Sequence, residues 1–173
     1  IPLFEKNGFI IRLDEYIWEQ ACITLRRWID HGLTPTPISV NMSRMHIHDP
    51  RLREKLLDLM RRYELPPHLL ELELTESAFL ENESGLFESM KALQAFGFQF
   101  SMDDFGSGYS SLNMLNQMPL DILKLDMKFI QSETAKPNKQ GILRFIMGLA
   151  RWMKLSVVAE GVETQAQYEF LRA

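Results

Sequence analysis

The chain has 173 residues, a formal net charge of −4 and one cysteine, Cys22. The length predicts a single domain over residues 1–173, and the acidic balance argues against polymeric nucleic acid as a partner, since nucleic acids are bound by basic surfaces. One cysteine excludes an intrachain disulfide, and no apolar run approaches the ~20 residues that cross a membrane. We therefore expect a cytoplasmic domain. The start at Ile1, without an initiator methionine, indicates a piece of a longer protein, which could be membrane-anchored.

Helical and extended segments alternate along the chain, each with its own spacing of apolar residues. The predicted helices cover residues 13–31, the segment from Asp49-Pro50 to Pro66, residues 84–96, residues 139–154 and a last stretch from Thr164. The predicted strands cover residues 38–43, 69–76, 98–103, 121–126 and 156–160. This alternation is typical of parallel strands with crossover helices, in either a barrel or an open doubly wound sheet.

Local sequence features predict where two of the helices begin. Asp49 is expected to be an N-cap, because Pro50 follows it at a position that suits the first residue of a helix. Thr164 and Gln167 form a capping-box pattern at the start of the last helix.

Residue spacing also predicts burial. One side of the first helix is expected to face the core, with Ile17, Ala21, Leu25 and Trp28. His46, between a strand and a proline-started helix, is expected to lie in a surface loop. The polar stretch 131–140 is expected to be the most mobile part of the chain.

Polar residues alternate with apolar ones in the strands, and this detail favours a barrel. Strands buried on both faces of an open parallel sheet are apolar on both faces, whereas here one face of each strand is polar. The polar positions are Ser39 and Asn41, Glu71, Glu73 and Thr75, Ser101 and Asp103, Lys124 and Asp126, and Ser156 and Glu160. We therefore expect them to face one interior space, with the active site at the carboxyl ends of the strands.

Several carboxylates would meet at that end, and their charges need compensation. The set consists of Glu73, Asp103, Asp104 and Glu160. Burying them together is costly unless they are protonated, paired or bound to metal ions, and Lys124 alone cannot neutralise them. Carboxylate and amide oxygens suit Mg²⁺ or Mn²⁺, and two such ions would fit attack of water on a phosphodiester. The alternative is that these are ordinary polar residues at strand ends, bound to backbone and solvent.

Five motifs, taken together, resemble those of a known family. They are VNMS at 40–43, ELELTES at 71–77, DDFGSGYSSL at 103–112, ILKLD at 122–126 and VAEGVET at 158–164. In this order and at these separations they resemble the signature blocks of the EAL domain family, over essentially the whole chain. The resemblance implies a TIM-barrel-like α/β fold, here a partial barrel with about five parallel strands and crossover helices.

The resemblance further implies a bacterial signalling enzyme that hydrolyses cyclic di-GMP to linear pGpG with two Mg²⁺ or Mn²⁺ ions. The implied metal ligands are Asn41, Glu73, Asp103, Asp104 and Glu160. Lys124 matches the lysine that orients or activates the attacking water, and Glu163 matches an acidic residue near the metals. Positioning and electrostatic stabilisation would dominate such a reaction.

Other residues match supporting positions of the family. They are Glu76, Ser110, Asp126, Gly106 and Gly108. Glu76 would anchor the loop 105–111 through Ser110, and the glycines would give that loop its backbone geometry. In the family this loop couples metal binding to substrate and to homodimer contacts. Arg44 could reach a substrate phosphate, or could be a solvent-exposed loop residue.

Two parts of the family pattern are absent from the chain. The Glu-Ala-Leu motif, with a metal-binding glutamate on the first strand, would precede Ile1, and a Gln-Gly motif would follow the last helix. The isolated chain is therefore expected to be weakly active or inactive, although the parent protein would be active. The alternative function is a catalytically inactive EAL domain that serves as a cyclic di-GMP receptor or as a protein-interaction or dimerisation module. A GGDEF or sensory domain could accompany it.

Overall fold

A computed structural model of the chain describes residues 2–79, 83–106, 112–134 and 140–172. The helices are α1 Pro2–Lys6, α2 Phe9–Asp30, α3 Leu52–Arg62, α4 Glu83–Gln94, α5 Leu112–Gln117, α6 Met127–Thr134, α7 Gln140–Met153 and α8 Gln165–Arg172. The strands are β1 Ile38–Asn41, β2 Leu70–Thr75, β3 Gln99–Phe105, β4 Ile122–Leu125 and β5 Ser156–Ala159. Short 3-10 helices cover Arg44–His48, Pro67–Leu69 and Glu76–Phe79. The chain divides into two compact units, Ile1–Leu74 with Ala78–Phe100, and Thr75–Ser77 with Ser101–Ala173.

The first unit is built on the parallel pair of β1 and β2, with α2 packed against β1. The register places Val40 opposite Leu72 and Asn41 opposite Glu73. Val40 and Leu72 are buried, whereas Asn41 at the end of β1 is exposed. Because side chains of a strand alternate between two faces, β1 places its apolar residue in the core and leaves its polar residues on the other face.

The buried face of α2 differs from the one that apolar spacing predicts. Its buried residues are Ile10, Asp14, Trp18, Ala21, Cys22 and Leu25. The prediction for Ile17 is wrong, since this side chain is 44% exposed. The spacing of apolar residues cannot identify this face correctly, because the face contains an acidic residue, Asp14.

The second unit is built on β3, β4 and β5, which pair in parallel, and α7 packs against β5. Met102 lies opposite Leu123, and Phe105 lies opposite Leu125. Three steps along β3 therefore match two steps along β4, so that β3 contains a β-bulge at Asp103-Asp104.

Side-chain hydrogen bonds at two helix starts test the capping predictions. Thr164 Oγ1 accepts from the Gln167 backbone N–H at 3.2 Å, and Gln167 Oε1 accepts from the Thr164 N–H at 3.0 Å. The capping box is therefore confirmed. The predicted N-cap at Asp49 is wrong, because α3 begins at Leu52 after Arg51. Asp49 instead ends the preceding 3-10 helix and accepts from the Arg51 N–H at 2.9 Å.

Helix α6 occupies a position where the sequence predicts no helix. Its last residues, 131–134, belong to the stretch that is expected to be mobile, while residues 135–139 of that stretch lie outside the described residues. The helix is only 8 residues long, too short for an apolar period to identify it.

The fold-class prediction is confirmed. Within the described residues, five strands alternate with helices, and each described strand pairing is parallel. Over the described residues, none of the helices combines the length and apolar character needed to cross a membrane.

Candidate metal centre

Asn41 and Glu73 form one part of the predicted site, within the first unit. Their Cα atoms are register partners on β1 and β2, and the backbone N–H of Met42 donates to the carbonyl of Glu73 at 2.8 Å. Glu73 is 8% exposed, and Asn41 is exposed at the strand end. The structure thus brings together one amide and one carboxylate from neighbouring strands.

Asp103 and Asp104 occupy the bulge of β3, within the second unit. Consecutive residues of a regular strand point to opposite faces, and a bulge interrupts this alternation and re-aims side chains. Asp104 has a φ of 57°, and its backbone N–H donates to Asp103 Oδ1 at 2.9 Å. The bulge therefore explains how two adjacent carboxylates can serve one site.

The surroundings of Asp103 disfavour the charged form of its carboxyl. Burial raises the pKa of its carboxyl, and the charges of Asp104, Glu160 and Asp126 raise it further, while the hydrogen bond from the Asp104 N–H opposes the shift. A group of carboxylates that repel one another in this way favours a bound cation. The donor chemistry of this cluster therefore fits a divalent metal ion.

Lys124 lies on β4, which pairs with the bulged strand β3, and Glu160 lies just after β5, which pairs with β4. Lys124 is half-buried on β4, with its Cα opposite Val158 of β5. Glu160 directly follows β5, and its N–H donates to the carbonyl of Leu125 at 3.0 Å. Glu160 is exposed, as is Glu163, which lies just before α8 and donates its N–H to Gln167 Oε1 at 2.9 Å.

Asp126 forms hydrogen bonds at the start of α6 in this unit. Its Oδ1 accepts from the backbone N–H groups of Lys128 at 2.8 Å and Phe129 at 3.1 Å, so that it caps the N-terminus of α6. Its own N–H donates to the carbonyl of Phe105 at 3.2 Å. These contacts make Asp126 a supporting residue for the chain around the bulge.

The first turn of α6 packs closely against two glycines. A Cβ on Gly106 would lie 2.8 Å from the ring of Phe129, and a Cβ on Gly161 would lie 2.1 Å from Met127 Cγ. Both glycines have positive φ, 96° and 65°, a conformation that glycine adopts at lower cost than residues with a side chain. Gly106 follows the Asp103-Asp104 bulge, and Gly161 follows Glu160. The packing of α6 against these glycines therefore connects the helix to the acidic residues, and the sequence does not reveal this connection.

Glu76 is buried, and both of its carboxylate oxygens are without a hydrogen-bond partner among the described residues. Ser110, the predicted partner of Glu76, and Gly108 of the same loop lie outside the described residues. Arg44 is exposed at the start of the 3-10 helix that follows β1.

The predicted ligands belong to both units, with Asn41 and Glu73 in the first and the remaining three in the second. Across the described parts of the chain, no group of three or more His, Cys, Asp or Glu side chains has an arrangement that could hold a metal ion.

His46 is buried, and its predicted place in a surface loop is wrong. It is 0% exposed, and its ring packs on Trp18 with a centroid distance of 4.5 Å. Two further residues, beside Asn41, are not among those that the sequence motifs predict for the site. Trp18 bonds to the backbone of Asn41, and Asp14 bonds to the backbone two residues later. The feature of the sequence that could have indicated them is an acidic residue one helical turn before a tryptophan.

Comparison with known proteins identifies the family. The EAL domain family matches residues 1–173. The bifunctional diguanylate cyclase/cyclic di-GMP phosphodiesterase MucR of Pseudomonas aeruginosa is 37% identical over 171 residues, which are 99% of this chain and 25% of MucR. The chain therefore spans about a quarter of the length of that relative.

Solved structures show the same fold. The PaMucR phosphodiesterase in complex with c-di-GMP matches with a TM-score of 0.89 at 37% identity, covering 99% of this chain and 69% of that one. Klebsiella pneumoniae BlrP1, in a manganese/cy-diGMP complex, matches with a TM-score of 0.77 at 26% identity, covering 90% and 40%. The chain belongs to the EAL domain family, with its TIM-barrel-like fold.

Proposed function

We propose that the protein hydrolyses cyclic di-GMP to linear pGpG. The observation that carries this proposal is the bulge at Asp103-Asp104, where two carboxylates lie together and the charge of Glu160 acts on Asp103. The likeness to the MucR phosphodiesterase supports the choice of substrate.

We propose that the centre takes two Mg²⁺ or Mn²⁺ ions. The ligands would be Asn41, Glu73, Asp103, Asp104 and Glu160, an oxygen set that suits these metals. Bound ions of this kind polarise phosphoryl oxygens and lower the pKa of water. The manganese complex of BlrP1 supports a divalent ion in the family.

The protein's own side chains would bind and orient the substrate. Lys124, half-buried on β4, would place a positive charge beside the reacting phosphate and orient the attacking water. Arg44, exposed beyond the end of β1, would contact a phosphate of the same ligand. Glu163 would add a negative charge at the edge of the site.

Glu76 would hold the loop 105–111 by accepting a hydrogen bond from Ser110. A buried carboxylate without a partner is costly, and both oxygens of Glu76 lack one among the described residues. The same loop would contribute to a homodimer. A cytoplasmic location and an attached GGDEF or sensory domain, of the kind that the bifunctional relative MucR suggests, complete the proposal.

Turnover of cyclic di-GMP is the experiment that tests the function. The complete domain within its parent protein is incubated with cyclic di-GMP and Mn²⁺ or Mg²⁺, because the isolated chain is expected to be weakly active or inactive, and pGpG is followed by chromatography. We expect pGpG that disappears with EDTA and in Asp103→Asn. The matched control is Asp58→Asn, because Asp58 is an exposed aspartate whose ion pair, within the described residues, is with Arg61 on the same helix. Tight binding of cyclic di-GMP without any product would contradict hydrolysis and favour a receptor.

A further inference from the structure

Helix α2 is bonded to both ends of the three-residue segment Asn41–Ser43. Trp18 Nε1 donates to the carbonyl of Asn41 at 2.9 Å, and Asp14 Oδ2 accepts from the backbone N–H of Ser43 at 2.9 Å. Between them, the Met42 N–H donates to the carbonyl of Glu73. Each residue of the segment is thus bonded through its backbone to α2 or to β2.

Asp14 is an unusual residue for the buried face of α2. It is 5% exposed, and burying a carboxylate costs several kcal/mol unless partners compensate it. Besides the Ser43 N–H, the Asp14 carboxylate has His46 as a neighbour. The Nε2 of His46 lies 3.2 Å from Asp14 Oδ2, but the two atoms do not form a hydrogen bond. A leucine would continue the apolar face of α2 at lower cost, so packing alone gives no reason for an acid here.

The bonds from α2 act where β1 ends. Asn41 is the last residue of β1, and its side chain is exposed at the strand end. The sheet pairing of β1 ends there, opposite Glu73. A metal ligand has to be held within about 0.5 Å of its working position, and the backbone of the segment is what α2 holds.

We propose that Asp14 and Trp18 are positioning residues for Asn41, which present its amide oxygen to the metal centre. This inference rests on the proposed metal-binding role of Asn41. Trp18 fixes the carbonyl of the ligand residue itself, and Asp14 fixes the chain two residues later. His46, packed between Trp18 and Asp14, keeps the carboxylate and the indole in place.

Mn²⁺ affinity, measured by isothermal titration in parallel variants, tests the inference. We expect Asp14→Ala and Trp18→Phe each to weaken Mn²⁺ binding about tenfold, as loss of residues that orient a metal ligand does. Asp14→Asn should weaken it less, because its amide oxygen can still accept from the Ser43 N–H. Leu25→Ala is the control, since Leu25 is buried on the same helix without a bond to the segment.

Hydrogen exchange gives a readout that does not depend on metal. The Ser43 amide should exchange faster in Asp14→Ala than in Leu25→Ala at equal overall stability, because only the first variant removes its acceptor. If Asp14→Ala does not fold, Trp18→Phe decides the question, since it keeps an aromatic ring and removes the indole donor, while Leu25→Ala controls for the loss of buried volume.

The possible outcomes separate the inference from the proposed function. Folded Asp14→Ala and Trp18→Phe with unchanged Mn²⁺ affinity would overturn the positioning role and leave the metal centre intact. Equal weakening in Leu25→Ala would overturn it too, because general destabilisation would then explain the result. If the unaltered protein binds no Mn²⁺, the metal centre and the inference both fail.

Discussion

The backbone N–H of Asp104 donates to Oδ1 of Asp103 at 2.9 Å, within the bulge of β3. Asp104 reaches this position with a φ of 57°, a conformation that costs a residue other than glycine about 1–3 kcal/mol. The chain therefore keeps two carboxylates adjacent against both backbone strain and charge repulsion. A bound cation would offset the repulsion, which is the physical basis of the predictions that follow.

The charge of Asp103 makes stability depend on pH when no metal is bound. Its pKa is raised, first by burial and then by neighbouring charges. A carboxyl whose pKa is higher in the folded than in the unfolded state stabilises the fold below its unfolded pKa, and that contribution is lost as pH rises through the folded pKa. The free energy of unfolding is therefore expected to fall over this range, and Asp103→Asn should remove that fall.

Thermal unfolding of EDTA-treated protein between about pH 4 and pH 7 measures this effect. Asp103→Asn should raise Tm at neutral pH by a few °C, about what a change of 1 kcal/mol gives in a domain of this size. Asp58→Asn, at an exposed position, should leave the pH profile unchanged. An identical profile in Asp103→Asn would contradict a raised pKa at Asp103.

The contacts of Asp126 predict that its role is capping rather than metal binding. Asp126→Asn keeps an oxygen for the N–H groups of Lys128 and Phe129, and should retain both stability and Mn²⁺ affinity. Asp126→Ala removes the cap and should lower stability by about 1 kcal/mol. Urea denaturation and Mn²⁺ titration measure the two quantities. A large loss of Mn²⁺ affinity in stable Asp126→Asn would identify it as a ligand instead.

The tight approach of Met127 to Gly161 predicts a steric effect beside Glu160. Gly161→Ala would place a Cβ 2.1 Å from Met127 Cγ, at a φ of 65°, and should lower stability by about 1–3 kcal/mol. Adding Met127→Ala should recover the steric part of this loss but not the backbone part. Gly85→Ala is the control, because a Cβ there meets nothing within 4 Å. Equal stability of Gly161→Ala and the unaltered protein, measured in urea, would contradict this packing.

Cys22 is predicted to be unreactive in the folded protein. Burial, followed by the nearby charge of Glu19, raises the pKa of its thiol to about 12, so that almost no thiolate is present at neutral pH. Iodoacetamide should label Cys22 only after unfolding in urea, and mass spectrometry detects the label. Rapid labelling of the folded protein would show that α2 opens readily.

Sequence reasoning succeeded for features that depend on local pattern. The parity of β1 placed Val40 in the core and Asn41 on the other face, as the structure shows. The capping box at Thr164 needs only residues that are near each other in sequence, and it too is confirmed.

Features that depend on contacts between distant residues could not be predicted. The bulge at Asp103 follows from the register between two strands, which no single strand encodes. Asp14 and Ser43 are 29 residues apart, so their bond becomes visible only when α2 packs on β1. The same holds for Gly161, because a side chain at this position would overlap with Met127 of α6.

Anomalous diffraction at the manganese edge, from crystals grown with Mn²⁺ and cyclic di-GMP, tests the metal centre most directly. We expect manganese peaks with a carboxylate oxygen of Asp103 or Asp104 within about 2.5 Å, the range of oxygen ligands to divalent ions. Asn41 should contribute its amide oxygen to one of these ions. Manganese peaks that lie away from both aspartates, or no peaks at saturating Mn²⁺, would contradict the proposal.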